Sequence, residues 1–326
     1  MNLLGHAWTI VPNVWHDWFP LGTRGATEWS TTVEDSHFGP IRLQGLWHPP
    51  PNEADTALVV VHGLGGSPDR HYCARAADAA AGRGWGCLRL GLRGSDRSGE
   101  DLYHAGLYAD IAAAVASEEL SAFRRVFVLG YSLGGHTVLR YLSADPDPRV
   151  VAGAAVCSPL HLDHSARHID EKCTPIYRRH LLAGLFEIYD RLAERRSLPL
   201  SAEEVRRART VREFDDLAIA SRFGYASAEE YYARESAHGH IAGLARPFLY
   251  CTSAFDPMVP RQVLEATALE AVANAAPFRW IEVAAGGHVN FPARVDLARD
   301  QGIDRAVGRL EDQLLAALES TADAPR

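Results

Sequence analysis

Val126-Phe127-Val128-Leu129-Gly130-Tyr131-Ser132-Leu133-Gly134-Gly135-His136-Thr137 is the stretch on which the rest of the chain turns. Its first residues are apolar and read as a buried strand. Gly130-Tyr131-Ser132-Leu133-Gly134 then fits G-x-S-x-G, and residues 137–141 continue in helical character. A strand, a tight turn and a helix in that order lift a serine to the apex of a strained bend. Glycine suits positions 130 and 134 because a side chain at either would collide across the turn. Gly135 allows the helix to pack closely. A bare G-x-S-x-G is also compatible with a serine merely exposed in a loop. The flanking strand and helix favour a nucleophile, which then requires a base, an acid and an oxyanion hole from elsewhere in the chain.

The chain has 326 residues, enough for one large α/β domain or for such a domain with an insertion. At 47% apolar it has ample material for a core. A formal charge of −8 gives no overall attraction to nucleic acid or to an anionic membrane. Cysteines stand at 73, 87, 157, 173 and 251, with no C-x-x-C pair, and Cys157 and Cys251 sit in apolar runs. The expectation is free thiols in a reducing cytoplasm. Residues 1–10 lack the basic start and long apolar run of a signal peptide, and no stretch is apolar for long enough to span a bilayer.

Trp8, Trp15, Trp18, Trp29 and Trp47 crowd the first fifty residues. Tryptophan can mark a membrane-surface anchor. No lysine or arginine cluster accompanies these rings, so the arm 1–27 is expected to pack onto the body, and membrane contact is not predicted. Residues 28–34 and 41–47 read as strands around a turn at Phe38-Gly39-Pro40. Residues 57–61 form a buried strand running into His62-Gly63-Leu64-Gly65-Gly66-Ser67. That loop lacks the G-K-[ST] of a phosphate cradle and the spacing of a dinucleotide fingerprint. It suits an oxyanion loop instead, with the N–H of Leu64 as one donor and the N–H of Leu133, next to the serine, as the other. His62 is read as fixing the loop rather than as a base. A helix over about 70–81, a strand over 86–90, a helix over 107–116 and a strand over 150–156 follow. In the loop Gly91-Leu92-Arg93-Gly94-Ser95, Arg93 either steadies the site loops through backbone carbonyls or sits solvated on the surface.

From about 160 to 237 strand-like runs vanish and charge rises. Leu181, Leu185, Ile188 and Leu192 recur at helical spacing, with Leu182, Phe186 and Tyr189 beside them. The stripe either packs on the core, lines an apolar acyl pocket, or does both; Leu185, Phe186 and Tyr189 are the candidate substrate contacts. The arginines at 206, 207, 209 and 212 read as a solvated helix face. Strand character returns at 247–251 and 278–283. Residues 303–318 read as a closing amphipathic helix with Val307, Leu310 and Leu314 on one face. Strands alternating with helices predict an α/β fold, a mostly parallel sheet flanked by helices. Its core segments are 1–159 and 238–326, on either side of a helical cap insertion, 160–237.

A serine hydroxyl is a weak nucleophile at neutral pH. It needs a base within hydrogen-bond reach, and the base needs a carboxylate to fix its tautomer. After an elbow of this kind the acid and then the histidine follow along the chain. Strand 247–251 leads into Thr252-Ser253-Ala254-Phe255-Asp256-Pro257-Met258-Val259-Pro260, placing Asp256 on the loop that leaves it. Strand 278–283 leads into Gly286-Gly287-His288-Val289-Asn290-Phe291. Asp256 alone would read as a turn residue, and His288 as one histidine among fifteen. In fixed order with Ser132 they read as a triad.

The chain resembles the α/β-hydrolases, and more narrowly the YheT-like branch with its eukaryotic abhydrolase-domain lipase relatives. The resemblance rests on the glycine loop at 62–67, Leu92-Arg93-Gly94, Tyr103-His104-Ala105-Gly106, the elbow, Thr210-Val211-Arg212-Glu213-Phe214-Asp215-Asp216, Tyr231-Tyr232, Asp256-Pro257-Met258-Val259-Pro260 and Gly286-Gly287-His288. Two departures stand out. Phe255 occupies a place where members often carry a second acid, which leaves Asp256 as the acid candidate. Ser95-Asp96 replaces a small Cys/Gly-rich run.

The resemblance implies an α/β-hydrolase fold with a helical cap and an esterase or lipase acting on short- to medium-chain acyl esters or lipids. The expected partner is a small-molecule ester; hydrolysis through an acyl-enzyme requires no organic cofactor and no metal, and the net charge gives no expectation of nucleic acid. The sequence sets no oligomeric state. Two other functions use the same residues or fold: an acyltransferase passing the acyl group to an alcohol, and a binding protein without catalysis.

Overall fold

The computed structural model describes residues 3–19, 21, 25–259, 261, 264, 277–297 and 307–323. Helix α1 (Leu3–Trp18) opens it, running through Pro12. An edge hairpin follows, β1 (Thr27–Asp35) and β2 (Gly39–His48). Next come β3 (Thr56–Val61), α2 (His71–Ala81), β4 (Gly86–Gly91), α3 (Ala109–Val115), α4 (Glu118–Ser121), β5 (Arg125–Tyr131), α5 (Leu133–Leu142) and β6 (Val150–Val156). A helical run holds α6 (Leu162–Arg167), α7 (Pro175–Arg195), α8 (Ala202–Val205), α9 (Val211–Phe214), α10 (Ser221–Phe223) and α11 (Ala228–Glu235). Strands β7 (Phe248–Ser253) and β8 (Phe278–Val283) return to the sheet. A short pair, β9 (Val295–Asp296) with β10 (Val307–Gly308), and helix α12 (Leu310–Asp323) close the described chain.

The eight-stranded sheet has the order β1-β2-β4-β3-β5-β6-β7-β8. β1, β2 and β4 pair antiparallel; from β4 through β8 the pairing is parallel. Strands covered on both faces need apolar residues on both, which explains the near-continuous apolar runs of β3, β5, β6 and β7. Alternation then sorts them. Leu58, Val60, Phe127 and Leu129 join Tyr72 of α2 and Leu314 and Leu318 of α12. Val59, Val61, Val126 and Val128 join Val138, Leu139 and Leu142 of α5 and the helical run beyond. Each such side chain contributes on the order of 1.5–3 kcal/mol by leaving water. The chain order reverses beside β3, so the loop after β3 and the elbow after β5 meet at the carboxyl edge, where open α/β sheets bind ligands.

Several expectations are corrected. Residues 3–18 of the N-terminal arm, to which the sequence assigned no element, form a helix. The closing helix starts at Leu310, because Val307 and Gly308 pair with Asp296 and Val295 as a strand. The 3- and 4-residue spacing of 307, 310 and 314 is helical, but only 310 and 314 lie in the helix; residues 303–306 lie outside the described ones. The four arginines do not share a helix, since α8 ends at Val205 and α9 begins at Val211. Arg212 is half-buried, ion-paired with Asp163 and set over the ring of Tyr232. All five cysteines are free thiols. Among the described residues no helix is long and apolar enough to cross a membrane.

Candidate active site

β5 ends at Tyr131 and α5 starts at Leu133, leaving Ser132 at φ 51° and ψ −124°. This left-handed region costs an L-residue of order 1–3 kcal/mol and survives only where neighbours enforce it. The Ser132 N–H donates to Val156 O at 2.9 Å, and its carbonyl accepts from the Gly135 N–H at 3.0 Å. A Cβ at position 130 would come within 2.4 Å of Gly134, and one at 134 within 2.4 Å of the His62 carbonyl oxygen. The elbow is therefore closed to any side chain at either place.

The structure brings Ser132, His288 and Asp256 together. His288 Nε2 lies 2.9 Å from Ser132 Oγ, and its Nδ1 lies 2.9 Å from Asp256 Oδ2. A carboxylate only accepts, so Nδ1 carries the proton and Nε2 is left to accept from the serine hydroxyl. Asp256 Oδ1 accepts from the N–H groups of Met258 and Val259 at 2.8 and 3.0 Å, which locks the carboxylate on its turn. Both Asp256 and His288 are buried. Each member leaves the carboxyl end of a parallel strand: β5, β7 and β8.

Across from Ser132 sits the loop after β3. A Cβ at Gly63 would lie 3.0 Å from the Ser132 Cβ. The Gly63 N–H donates to the Tyr72 hydroxyl, the Gly65 N–H to the Tyr103 hydroxyl at 2.6 Å, and the Gly66 N–H back to Gly63 O. Of the N–H groups from 63 to 66, that of Leu64 makes none of these bonds. Leu133 is the first residue of α5, where N–H groups have no intrahelical partner. His62 is buried, with Nδ1 2.8 Å from Gly63 O and Nε2 accepting from the Leu92 N–H at 3.2 Å. Burial lowers its pKa to about 4, so it stays neutral and holds the loop.

The pocket that opens onto Ser132 and His288 has a volume of about 210 Å³. Ile10 and Val14 of α1, Ile176 and Leu181 of α7, Met258 and Val289 make its apolar walls. The candidate contacts from the helix stripe fall elsewhere. Leu185 lines a second, smaller cavity of about 70 Å³ that also touches Leu64, Leu133, Asp215 and Tyr232. Phe186 and Tyr189 line neither; their rings pack edge-on against Phe214. One helix cannot turn every apolar position toward the same cleft, and α7 gives the pocket its N-terminal half. Thr9 and the wall residues of α1 were missed in the sequence, where the visible signal was the pair of small residues Gly5 and Thr9, four apart on a tryptophan-rich stretch.

Arg93 is buried and meets carboxylates, not carbonyls. It makes two bonds to Asp110, with Nε at 2.9 Å and a terminal nitrogen at 2.6 Å. Asp101 and Asp35 lie 3.3 and 3.2 Å away. Arg222 of α10 completes this network, reaching Asp101 at 2.8 and 2.9 Å and Asp35 at 2.9 Å. The helical run is thus tied to the sheet by buried charge.

Cys157, Asp256 and His288 form the one cluster of metal-ligating side chains among the described residues. The donor set suits a metal poorly. A thiolate is needed, yet burial drives the Cys157 thiol pKa well above its ordinary value, and its Sγ–H points to Gly287 O. The histidine nitrogens already face Ser132 and Asp256.

The model of the α/β hydrolase fold family matches residues 56–293. YheT of Escherichia coli K12, an esterase by designation, is 33% identical over 248 residues, covering 72% of this chain and 70% of that protein. A monoacylglycerol lipase of Saccharomyces cerevisiae is 26% identical over 255 residues, 74% of this chain and 56% of the lipase. The chain thus spans little more than half of that relative. Among solved structures, a Pyrococcus furiosus esterase has a TM-score of 0.53 at 14% identity, covering 81% of this chain and 85% of that one. Est1E from Butyrivibrio proteoclasticus has a TM-score of 0.53 at 13% identity, covering 89% and 99%. At such identities these structures speak for the fold alone. The family match over most of the chain and the YheT similarity carry the conclusion: the chain belongs to the α/β hydrolases, in the YheT-like branch.

Proposed function

We propose that this protein is a carboxylic ester hydrolase that works through an acyl-enzyme, with Ser132, His288 and Asp256 as its triad. The observation that carries the reading is His288, which faces Ser132 Oγ with one nitrogen and Asp256 with the other, each at 2.9 Å. His288 takes the Ser132 proton as Oγ attacks the ester carbonyl. The N–H groups of Leu64 and Leu133 receive the oxyanion, where donors aimed at developing charge are worth most. His288 then protonates the leaving alcohol and activates water for deacylation, while Asp256 stabilises its charged form. Acyl esters of short to medium chain, or lipids, are the substrate class. The apolar walls of the pocket and the names of the YheT and monoacylglycerol lipase relatives support it.

The test is hydrolysis of p-nitrophenyl esters from acetyl to dodecanoyl, with Ser132→Ala beside the wild type. Loss of the nucleophile should cost on the order of a millionfold in turnover. A fluorophosphonate should label the wild type and not the variant. Equal activity in both proteins would sink the assignment of Ser132. Wild-type protein that neither reacts with the probe nor hydrolyses any ester would leave a binding role.

A further inference from the structure

The face of α1 that points away from the protein is apolar. Leu3, Leu4, Val11, Val14, Trp15 and Trp18 are all exposed, Trp15 at 59% and Trp18 at 78%. A helix on a soluble body normally shows the reverse pattern. The helix is nonetheless firmly seated. A Cβ on Gly5 would overlap the Phe255 carbonyl, and Thr9 is buried against His288. The outward face is therefore held in place. Ile176, at the start of α7, is exposed beside it. Val14 and Ile176 also line the pocket that holds Ser132, so the exposed apolar surface runs continuously into the site.

We infer that the outer face of α1, with the first turns of α7, is a docking surface for an anionic lipid bilayer. Two features on this face select that occupant. Exposed tryptophans on an apolar helix suit the headgroup boundary, where an amphipathic ring is half wet. Acids are sparse around them: residues 3–16 and 175–186 contain none, Asp17 is the one acid in the sequence of α1, and on α7 Arg179 is exposed beside Ile176 while Arg178 donates to the Asp170 carbonyl. Most of the acids behind the net charge of −8 lie elsewhere in the sequence, so the attraction is local. The use of the surface, passing an acyl ester from the bilayer into the pocket, rests on the proposed ester hydrolysis; the binding itself does not.

Vesicle flotation tests it, with phosphatidylcholine alone and with phosphatidylcholine mixed with phosphatidylglycerol. The wild type should float with the mixed vesicles, and added salt or vesicles of phosphatidylcholine alone should weaken this. Trp15→Glu/Trp18→Glu should lower the floated fraction by about tenfold or more, and Arg179→Gln should reduce the dependence on phosphatidylglycerol. Neither tryptophan lines the pocket, so hydrolysis of p-nitrophenyl acetate without vesicles should match the wild type, and circular dichroism should show the same fold. Wild type that stays soluble with both vesicle types, or a double variant that floats equally, overturns the inference. Sedimentation showing a dimer that the double variant abolishes, without flotation, would assign the face to a second copy and also overturn it. Flotation without any ester hydrolysis would uphold the docking surface and count against the proposed chemistry.

Discussion

The Thr9 hydroxyl accepts a hydrogen bond from the backbone N–H of His288, 2.8 Å away and 279 residues later in the chain. Its own O–H donates to Gly5 O at 2.7 Å. Gly287 allows this approach, since a Cβ there would meet Gly5 O at 2.4 Å. The N-terminal helix thus clamps the loop that presents the histidine.

Thr9→Val keeps the shape and removes the acceptor. A buried N–H left without a partner costs about 1–3 kcal/mol. A histidine loop displaced by even a fraction of an ångström should lower kcat/KM about tenfold to a hundredfold. Thr9→Ser keeps the hydroxyl and should restore most of both. Thermal melts and ester kinetics on the three proteins check this. Wild-type values for Thr9→Val would show that the clamp has no part in positioning His288.

Asp256→Asn separates charge from scaffold. The Asn oxygen can still accept from the Met258 and Val259 N–H groups, so the fold should hold. Its amide donates toward His288 Nδ1, which forces the proton onto Nε2, where it faces Ser132 and blocks proton removal. Turnover should fall by about 10⁴, as in triads of the same geometry, with the melting temperature nearly unchanged. A loss of tenfold or less would remove Asp256 from the proposed triad.

What the sequence made legible follows from what is local. The strand–serine–helix elbow is written in a dozen consecutive residues. The order of Ser132, Asp256 and His288 is set by parallel strands whose ends must share one edge. Arg93 was opaque for the opposite reason. Its partners Asp35 and Asp101 stand on other elements, and Arg222 joins them from the helical run; no spacing reports a meeting of that kind. Helix α1 was obscured by its inverted pattern. Apolar residues point outward and small ones inward, so a search for a buried apolar stripe passes over it. The stripe on α7 was real, but periodicity says which residues share a face and not which cavity the face meets.

Arg222 ties the helical run between β6 and β7 to the sheet through buried charge. Arg222→Met removes the cation and leaves Asp101 and Asp35 facing Arg93 alone. Breaking a buried ion network from one side typically costs about 3–5 kcal/mol. The unfolding midpoint in urea should drop accordingly, and added salt should change the difference little, because buried pairs are poorly screened. A loss below about 0.5 kcal/mol would mean that the network is no stronger than a surface pair.

Asp215 gives the protein a pH dependence whose sign is fixed. Burial drives its carboxyl pKa from 3.8 up to about 7; Asp170 adds to this, while the Tyr232 hydroxyl and Arg212 oppose it. The folded state therefore keeps a proton that the unfolded chain releases near pH 4. Between pH 4 and 7 folding binds a proton, so this group makes the protein less stable as pH rises, with the full penalty present above about pH 7. The linkage amounts to at most about 4 kcal/mol. Because an edge of the residue reaches solvent, about 1–2 kcal/mol is the expected effect. Asp215→Asn is neutral throughout, and its oxygen still accepts from Tyr232, which in the wild type donates to Asp215 Oδ2 at 2.6 Å. The variant should melt near the wild type at pH 4–5 and progressively above it toward pH 8. Melting curves measured at matched ionic strength across that range decide the matter: parallel lines for the two proteins would show that Asp215 ionises normally in the fold.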